Sequence, residues 1–109
     1  MNCFPEPQLV QVSACNSFNT EVEAASALQI FAHTSGAVAG YVTLSNFNAS
    51  EDTASISTDA AGTDIVATAE PDNSYTVFVP RLQNLYVFSE GGEVVVGQVC
   101  VNAAYTARP

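Results

Sequence analysis

Three cysteines are the residues with the clearest capacity for chemistry in this chain of 109 residues. Cys15 and Cys100 each lie in a segment where apolar and polar residues alternate, and both occupy polar positions. Successive strand residues point to opposite faces, so the alternation predicts that both thiols face away from the core. Free cysteine is normally well buried, and an odd total leaves at least one thiol for a partner chain. The pattern therefore predicts intermolecular disulfides, with surface thiols in a reducing cytosol as the alternative.

The third cysteine, Cys3, lies in a proline-containing segment at the start of the chain. Pro5 and Pro7 fix the backbone angle φ and exclude both a helix and a central strand. The segment 1–8 is therefore either a frayed end or an arm that reaches a neighbour, and Cys3 near its tip favours the arm. We expect a flexible connector over 1–8, with Phe4, Pro5 and Pro7 as connector residues, and a folded core over 9–109.

The rest of the chain shows about eight short runs with strand character, separated by turn-rich pieces. A spacing of about ten residues per strand is typical of a β-sandwich or barrel. The segment 20–28 carries a capping-box pattern as well, but the alternation that follows it favours a loop leading into a strand. Glycines in the segment 90–93 predict a hairpin. The predicted strands span 9–15, 27–34, 39–45, 53–58, 63–69, 74–79, 82–89 and 94–106.

Composition excludes several classes of function. The net charge is −9, lysine is absent, and the two basic residues are Arg81 and Arg108. Such a chain cannot neutralise a phosphate backbone or an anionic membrane surface, so we expect neither nucleic acid nor membrane as a partner. Only 12% of residues are charged while 48% are hydrophobic, which is typical of surfaces buried against copies of themselves. The chain begins without the basic and apolar regions of a signal peptide, so we expect cytoplasmic synthesis.

Catalytic and metal-binding patterns are weak. His33 is the only histidine, and the sequence pairs it with no nucleophile. The cysteines lack basic neighbours that would lower a thiol pKa, and no Cys-x-x-Cys knuckle favours zinc. The acidic loop residues lack the spacing of a calcium loop. We expect no enzyme activity, no metal and no cofactor.

Most aromatic residues fall in strand patterns that predict core positions. The segment 82–89 is different, because apolar residues occupy both parities of this predicted strand. A strand that is apolar on both faces of so small a domain indicates a subunit interface. The interface candidates are Tyr86, Phe88, Leu85 and Val87.

The last third of the chain contains the motifs Pro71-Asp72-Asn73-Ser74, Leu82-Gln83-Asn84-Leu85 and Gly97-Gln98-Val99-Cys100. With Cys3 in the connector and Cys15 in the first core strand, this layout resembles the subunits of bacterial endospore appendages, the Ena-type fibres. The resemblance implies an eight-stranded all-β jelly roll behind a flexible N-terminal arm. The chain departs from the family pattern in one respect, because its connector holds one cysteine where a close pair is common.

The resemblance implies a structural role in a fibre on the spore surface. The connector of one subunit would reach a neighbouring subunit and bond to cysteines on its first and last strands, so the partner is the chain itself. Synthesis in the mother cell and release at lysis would explain disulfides without a signal peptide. In a jelly roll the first and last strands are neighbours, so Cys15 and Cys100 would share one outer face. Cys3 of another subunit could bond either of them, or Cys15 and Cys100 could bond each other and leave Cys3 free.

Two other functions stay open on sequence grounds. A small acidic β-sandwich could bind carbohydrate or a surface protein, and a decoration protein of similar fold would bind a particle such as a capsid. A binding module would be a soluble monomer, which leaves the odd cysteine unexplained.

Overall fold

A computed structural model describes residues 8–19, 28–33, 38–91 and 93–107. The segments 1–7 and 20–27 lie outside the described residues, so the predicted connector and the alternatives for 20–28 stay predictions. Eight strands follow one another along the described chain. They are β1 (Gln8–Asn19), β2 (Leu28–Ala32), β3 (Val38–Asn46), β4 (Ala54–Ser57), β5 (Ile65–Ala69), β6 (Asn73–Leu82), β7 (Asn84–Ser89) and β8 (Val96–Ala107).

The strands form two four-stranded antiparallel sheets, in the orders β1-β8-β3-β6 and β2-β7-β4-β5. The first and last strands of the chain are therefore neighbours, paired from Gln8 opposite Ala107 to Asn19 opposite Val96. The predicted eight-stranded jelly-roll sandwich is confirmed. Residues of alternating parity face inward along the strands, as in β3, where Val42 and Leu44 are fully buried. The two sheets enclose a single apolar core between them.

β1 continues for four residues beyond its predicted end at Cys15. The dipeptide Asn16-Ser17 favours a turn in isolation, but here it extends the ladder with the first residues of β8. Phe18 is buried, and it packs where a side chain at Gly97 would otherwise lie. Burial of the aromatic ring and the ladder hydrogen bonds outweigh the local turn preference.

The predicted hairpin at 90–93 is wrong. β7 pairs with β2 and β4, whereas β8 pairs with β1 and β3. The chain therefore crosses from one sheet to the other between β7 and β8, and Gly91 lies in this crossover rather than in a tight turn between paired strands.

The strand directions give the sandwich two distinct ends. β3, β5 and β7 end, and β4, β6 and β8 begin, at what we call the loop end. β1 begins and β8 ends at the opposite, terminal end. The disulfide-bearing sheet therefore has a defined polarity, with the chain entering and leaving at the terminal end.

Asn46 holds the loop end together from a buried position. It is 2% exposed, and its side-chain nitrogen donates to the carbonyl oxygens of Asp52 at 2.9 Å and Ala69 at 2.8 Å. These two bonds link the end of β3 to the following loop and to the other sheet.

We expect Asn46→Ala to lower the free energy of unfolding by about 1–3 kcal/mol, because two carbonyl groups lose their donor. Urea denaturation of the monomer measures the change. Asn48→Ala, at an exposed position in the next loop, is the matched control and is expected to change little. Equal effects of the two substitutions would contradict the role of Asn46.

Candidate functional site

Cys15 and Cys100 lie directly opposite each other on neighbouring strands, with their Cα atoms 4.0 Å apart, and they form a disulfide. Val99 and Val101 on either side of Cys100 are buried, so the cysteine side chains project from the outer face of the sheet. The outward placement predicted for both cysteines is thus found. Of the pairings that the sequence left open, the structure contains the intrachain bond between Cys15 and Cys100.

The two sulfur-bearing residues differ in accessibility. Cys15 is exposed on β1, which is an edge strand of its sheet. Cys100 is half-buried on β8, between β1 and β3, where Thr43 lies opposite it. A molecule that approaches the disulfide from outside therefore meets Cys15 more readily than Cys100.

The described outward positions of β1, β3 and β8, and those of β6 from Ser74 to Phe78, carry no charged side chain, and Arg81 lies beyond them near the end of β6. This is unusual in a chain of net charge −9, and it removes the repulsion that two like-charged copies would otherwise meet here. We call this surface the neutral face. Its outward residues are Gln11, Ser13, Cys15, Ser17, Ala39, Tyr41, Thr43, Ser45, Ser74, Thr76, Phe78, Gln98, Cys100, Asn102 and Ala104.

An aromatic pair stands on the neutral face, one outward row from the disulfide. Tyr41 and Phe78 are 57% and 56% exposed, and their rings meet edge to face with centroids 5.4 Å apart. The expectation that most aromatic residues lie in the core is wrong, because only Phe18 and Phe31 are buried among the aromatic side chains that the structure describes. The parity of β3 contained the information, because Tyr41 alternates with the buried Val42 and Leu44.

The two hydroxyl groups nearest the disulfide form a hydrogen bond with each other on the neutral face. Thr43 and Thr76 share a hydrogen bond of 2.7 Å between their side-chain oxygens. Ser45 and Ser74 do the same at 2.9 Å in the next row. These cross-strand bonds join β3 to β6 on the neutral face, beside the disulfide.

Charge is distributed unequally between the two ends of the sandwich. Among the described residues, six carboxylate side chains belong to the connections at the loop end, whereas Arg81 lies near the terminal end. Arg108, outside the described residues, follows β8 in sequence. Asp59 and Asp64 also belong to the terminal end. The six at the loop end are Glu51, Asp52, Glu70, Asp72, Glu90 and Glu93.

Asp52 ties the loop-end connections together. Its carboxylate accepts hydrogen bonds from the Ser89 hydroxyl at 2.8 Å, the Thr53 backbone N–H at 2.7 Å and the Gly91 backbone N–H. The bond from Ser89, followed by those from the backbone, lowers the pKa of Asp52 below its ordinary value. Asp59 in the other loop has its pKa lowered chiefly by the hydroxyl of Thr63.

These lowered pKa values predict a loss of stability in acid. A carboxylate whose pKa is lower in the folded state stabilises the fold above its ordinary pKa, and this contribution disappears as pH falls through the folded pKa. We expect the melting temperature of the monomer to decrease as the pH is lowered below 3.8, the ordinary pKa of an aspartate side chain. Asp52→Asn should flatten this dependence, whereas Asn48→Ala, which removes no titratable group from an exposed position, should leave the slope unchanged. Thermal unfolding from about pH 7 to about pH 2.5 measures both, and identical slopes for all three proteins would contradict the prediction.

The four interface candidates occupy two different environments. Leu85 and Val87 are fully buried in the core, so they are not available at the surface. Tyr86 and Phe88 point the other way and are half-buried, and the ring of Phe88 lies against Gly62. A subunit contact through β7 therefore rests on Tyr86 and Phe88, and it stays a prediction.

The remaining predicted residues lie outside the described part of the chain. These are Cys3, Phe4, Pro5 and Pro7, all in the segment 1–7. Within the described ranges, no group of three or more His, Cys, Asp or Glu side chains is placed to hold a metal ion. The same ranges contain no helix long and apolar enough to cross a membrane.

Comparisons with known proteins give one informative likeness. No protein-family model matches the chain, and no curated protein sequence does so either. Among solved structures, a chain from the Bacillus endospore appendages, described as "a novel family of disulfide-linked pili", superposes with a TM-score of 0.70. The match covers 97% of this chain and 95% of the other, at 18% sequence identity. The two chains share a fold, which is the fold that the sequence resemblance implied.

Proposed function

We propose that this chain is a structural subunit that assembles with copies of itself into a disulfide-cross-linked, pilus-like fibre on the bacterial endospore surface. The arm at 1–8 of each copy links it to the next. The observation that carries this proposal is the outward-facing Cys15–Cys100 pair on the neutral face, in a chain whose third cysteine, Cys3, precedes β1. The fold shared with a disulfide-linked pilus subunit supports it.

The length of the arm favours a bond between copies over a bond within one copy. Cys15 lies seven residues along β1 from Gln8, a distance of about 24 Å. Cys3 precedes Gln8 by five residues, and a reversal of direction uses about two of them. The three that remain span at most about 11 Å, whereas the Cα atoms of a disulfide lie within about 7 Å. The thiol of Cys3 therefore falls short of its own Cys15.

A copy stacked on the loop end does bring its arm within reach. Cys15 lies four residues from the loop-end terminus of β1 at Asn19, about 14 Å below it. The extended arm of the next copy spans about 18 Å from Gln8 to Cys3. When the terminal end of one copy stacks on the loop end of another, the contact is heterologous. Such a contact builds an open filament unless the rotation between successive copies closes a ring.

The charges favour the same orientation. The six described carboxylates at each loop end repel another loop end, whereas Asp59 and Asp64 are the described carboxylates of the terminal end, where Arg81 also lies. Head-to-tail stacking therefore places each acidic end against an end with fewer carboxylates.

A denaturing gel of the full chain tests the proposal. The protein is alkylated first, boiled, and run with and without reductant. We expect a ladder that collapses to monomer on reduction, its absence in Cys3→Ser, and its persistence in the matched control Ser13→Ala. A single monomer band from the unsubstituted chain in both lanes would overturn the arm linkage.

The exposed aromatic pair supports a second candidate, a carbohydrate-binding module. Tyr41 and Phe78 present about half of their surface to solvent, as sugar-stacking residues do. This candidate predicts a monomer that binds glycans and loses binding in Tyr41→Ser. A monomer that shows no glycan binding on an array would eliminate it.

A further inference from the structure

The site that the arm would join already contains a disulfide, and this determines the chemistry of joining. We propose, on the basis of the proposed function, that the arm attaches by thiol–disulfide exchange and without net oxidation. The thiolate of Cys3 in one copy attacks Sγ of Cys15 in the next. The Cys3–Cys15 bond forms, the Cys15–Cys100 bond breaks, and Cys100 leaves with the electron pair and takes up a proton. The step consumes one disulfide and one thiol, and it produces one disulfide and one thiol.

Access selects Cys15 as the sulfur that is attacked. Exchange rates depend on which sulfur a thiolate can approach. Cys15 is exposed on edge strand β1, so its far side is open, whereas Cys100 is half-buried and flanked by β1 and β3. The structure thus makes Cys100 the leaving thiol.

The resulting link is reversible because the two strands stay paired. The ladder of β1 and β8 keeps Cys100 opposite Cys15, with the Cα atoms 4.0 Å apart, so the released thiol can attack the new bond and expel the arm. The arm remains attached only while packing between the two copies holds Cys3 at a comparable effective concentration. A subunit that leaves the fibre regains its intrachain disulfide and needs no reductant.

Capping the released thiol should convert the reversible link into a permanent one. Alkylation of Cys100 in the assembled fibre removes the attacking group and leaves the Cys3–Cys15 bond in place. Fibres alkylated before boiling should therefore keep their ladder, while fibres boiled without alkylation should lose most of it.

The test uses a donor and an acceptor that each perform one half of the exchange. The acceptor is Cys3→Ser with its disulfide intact. One donor is a synthetic peptide of residues 1–8, which needs no fold but lacks the packing between copies, so it is expected to link only to a small extent. A second donor is the full chain with Cys15→Ser and Cys100→Ser. They are mixed without oxygen and with a metal chelator, and then alkylated and mapped by mass spectrometry.

We expect a disulfide between Cys3 and Cys15 and an alkyl label on Cys100 in every linked molecule. The rate should rise about tenfold per pH unit below the ordinary thiol pKa, since the thiolate is the nucleophile. Acceptor Cys3→Ser with Cys15→Ser, which has no disulfide, should form no link. A link that appears only after an oxidant is added would overturn exchange and leave the arm linkage standing. No link under either condition would overturn both.

Discussion

Replacing Cys15 and Cys100 together by alanine should lower the free energy of unfolding of the monomer by about 4–5 kcal/mol. The bond closes a loop between residues separated by 85 positions, and chain-entropy arguments assign about this value to a loop of that length. Both side chains stand on the outer face, so their truncation leaves no cavity in the core. Most of the expected loss of stability therefore comes from the unfolded state, whose conformational entropy increases when the cross-link is absent.

Urea denaturation in a Cys3→Ser background measures this loss without interference from polymer. Reduction of the Cys3→Ser protein should lower its free energy of unfolding by the same amount as the double substitution. Reductant should not change the free energy of unfolding of the doubly substituted protein. A difference below about 1 kcal/mol would show that the bond adds little to a fold already closed by the β1–β8 ladder. The result also bears on exchange, because the bond given up on joining the fibre must be offset by contacts between copies.

The sequence predicted the parts of this fold that depend on local alternation. The eight strands and the outward cysteines follow from a period of two, which each segment carries in its own residues. The pairing of β1 with β8 needed the jelly-roll topology, and that came from the family resemblance rather than from any local pattern.

The errors share a physical cause, which is that long-range pairing overrides local preference. Asn16-Ser17 became part of a strand because β8 lies beside it, and 90–93 became a crossover because β7 and β8 pair in different sheets. The sequence left the pairing of Cys15 with Cys100 undecided for the same reason, because spacing along the chain does not determine which thiols come together in the fold. The outward position of Tyr41 was available from parity and was missed through the general expectation that aromatic rings are buried.

The largest effect on assembly is expected from shortening the arm. Deleting residues 4–6 leaves Cys3 two residues before Gln8 and reduces its reach from about 18 Å to about 7 Å. The disulfide of the next copy lies about 14 Å inside the loop end. The shortened arm could bridge that distance only at full extension, at the largest Cα separation of a disulfide (about 7 Å) and with no gap between the copies. We expect the reductant-sensitive ladder to disappear, while the monomer keeps its stability because the deletion precedes β1.

A length-matched control separates reach from composition. Replacing the same three residues by serine keeps the arm at full length, and its ladder should persist. The same geometry limits the axial repeat of the fibre. The arm, the strand from Gln8 to Cys15 and the disulfide together span at most about 49 Å from one Cys15 to the next. Electron microscopy of assembled fibres measures this axial repeat. A longer repeat would contradict end-to-end linkage, since no extended chain of these lengths could then join successive copies, and so would a ladder from the shortened arm.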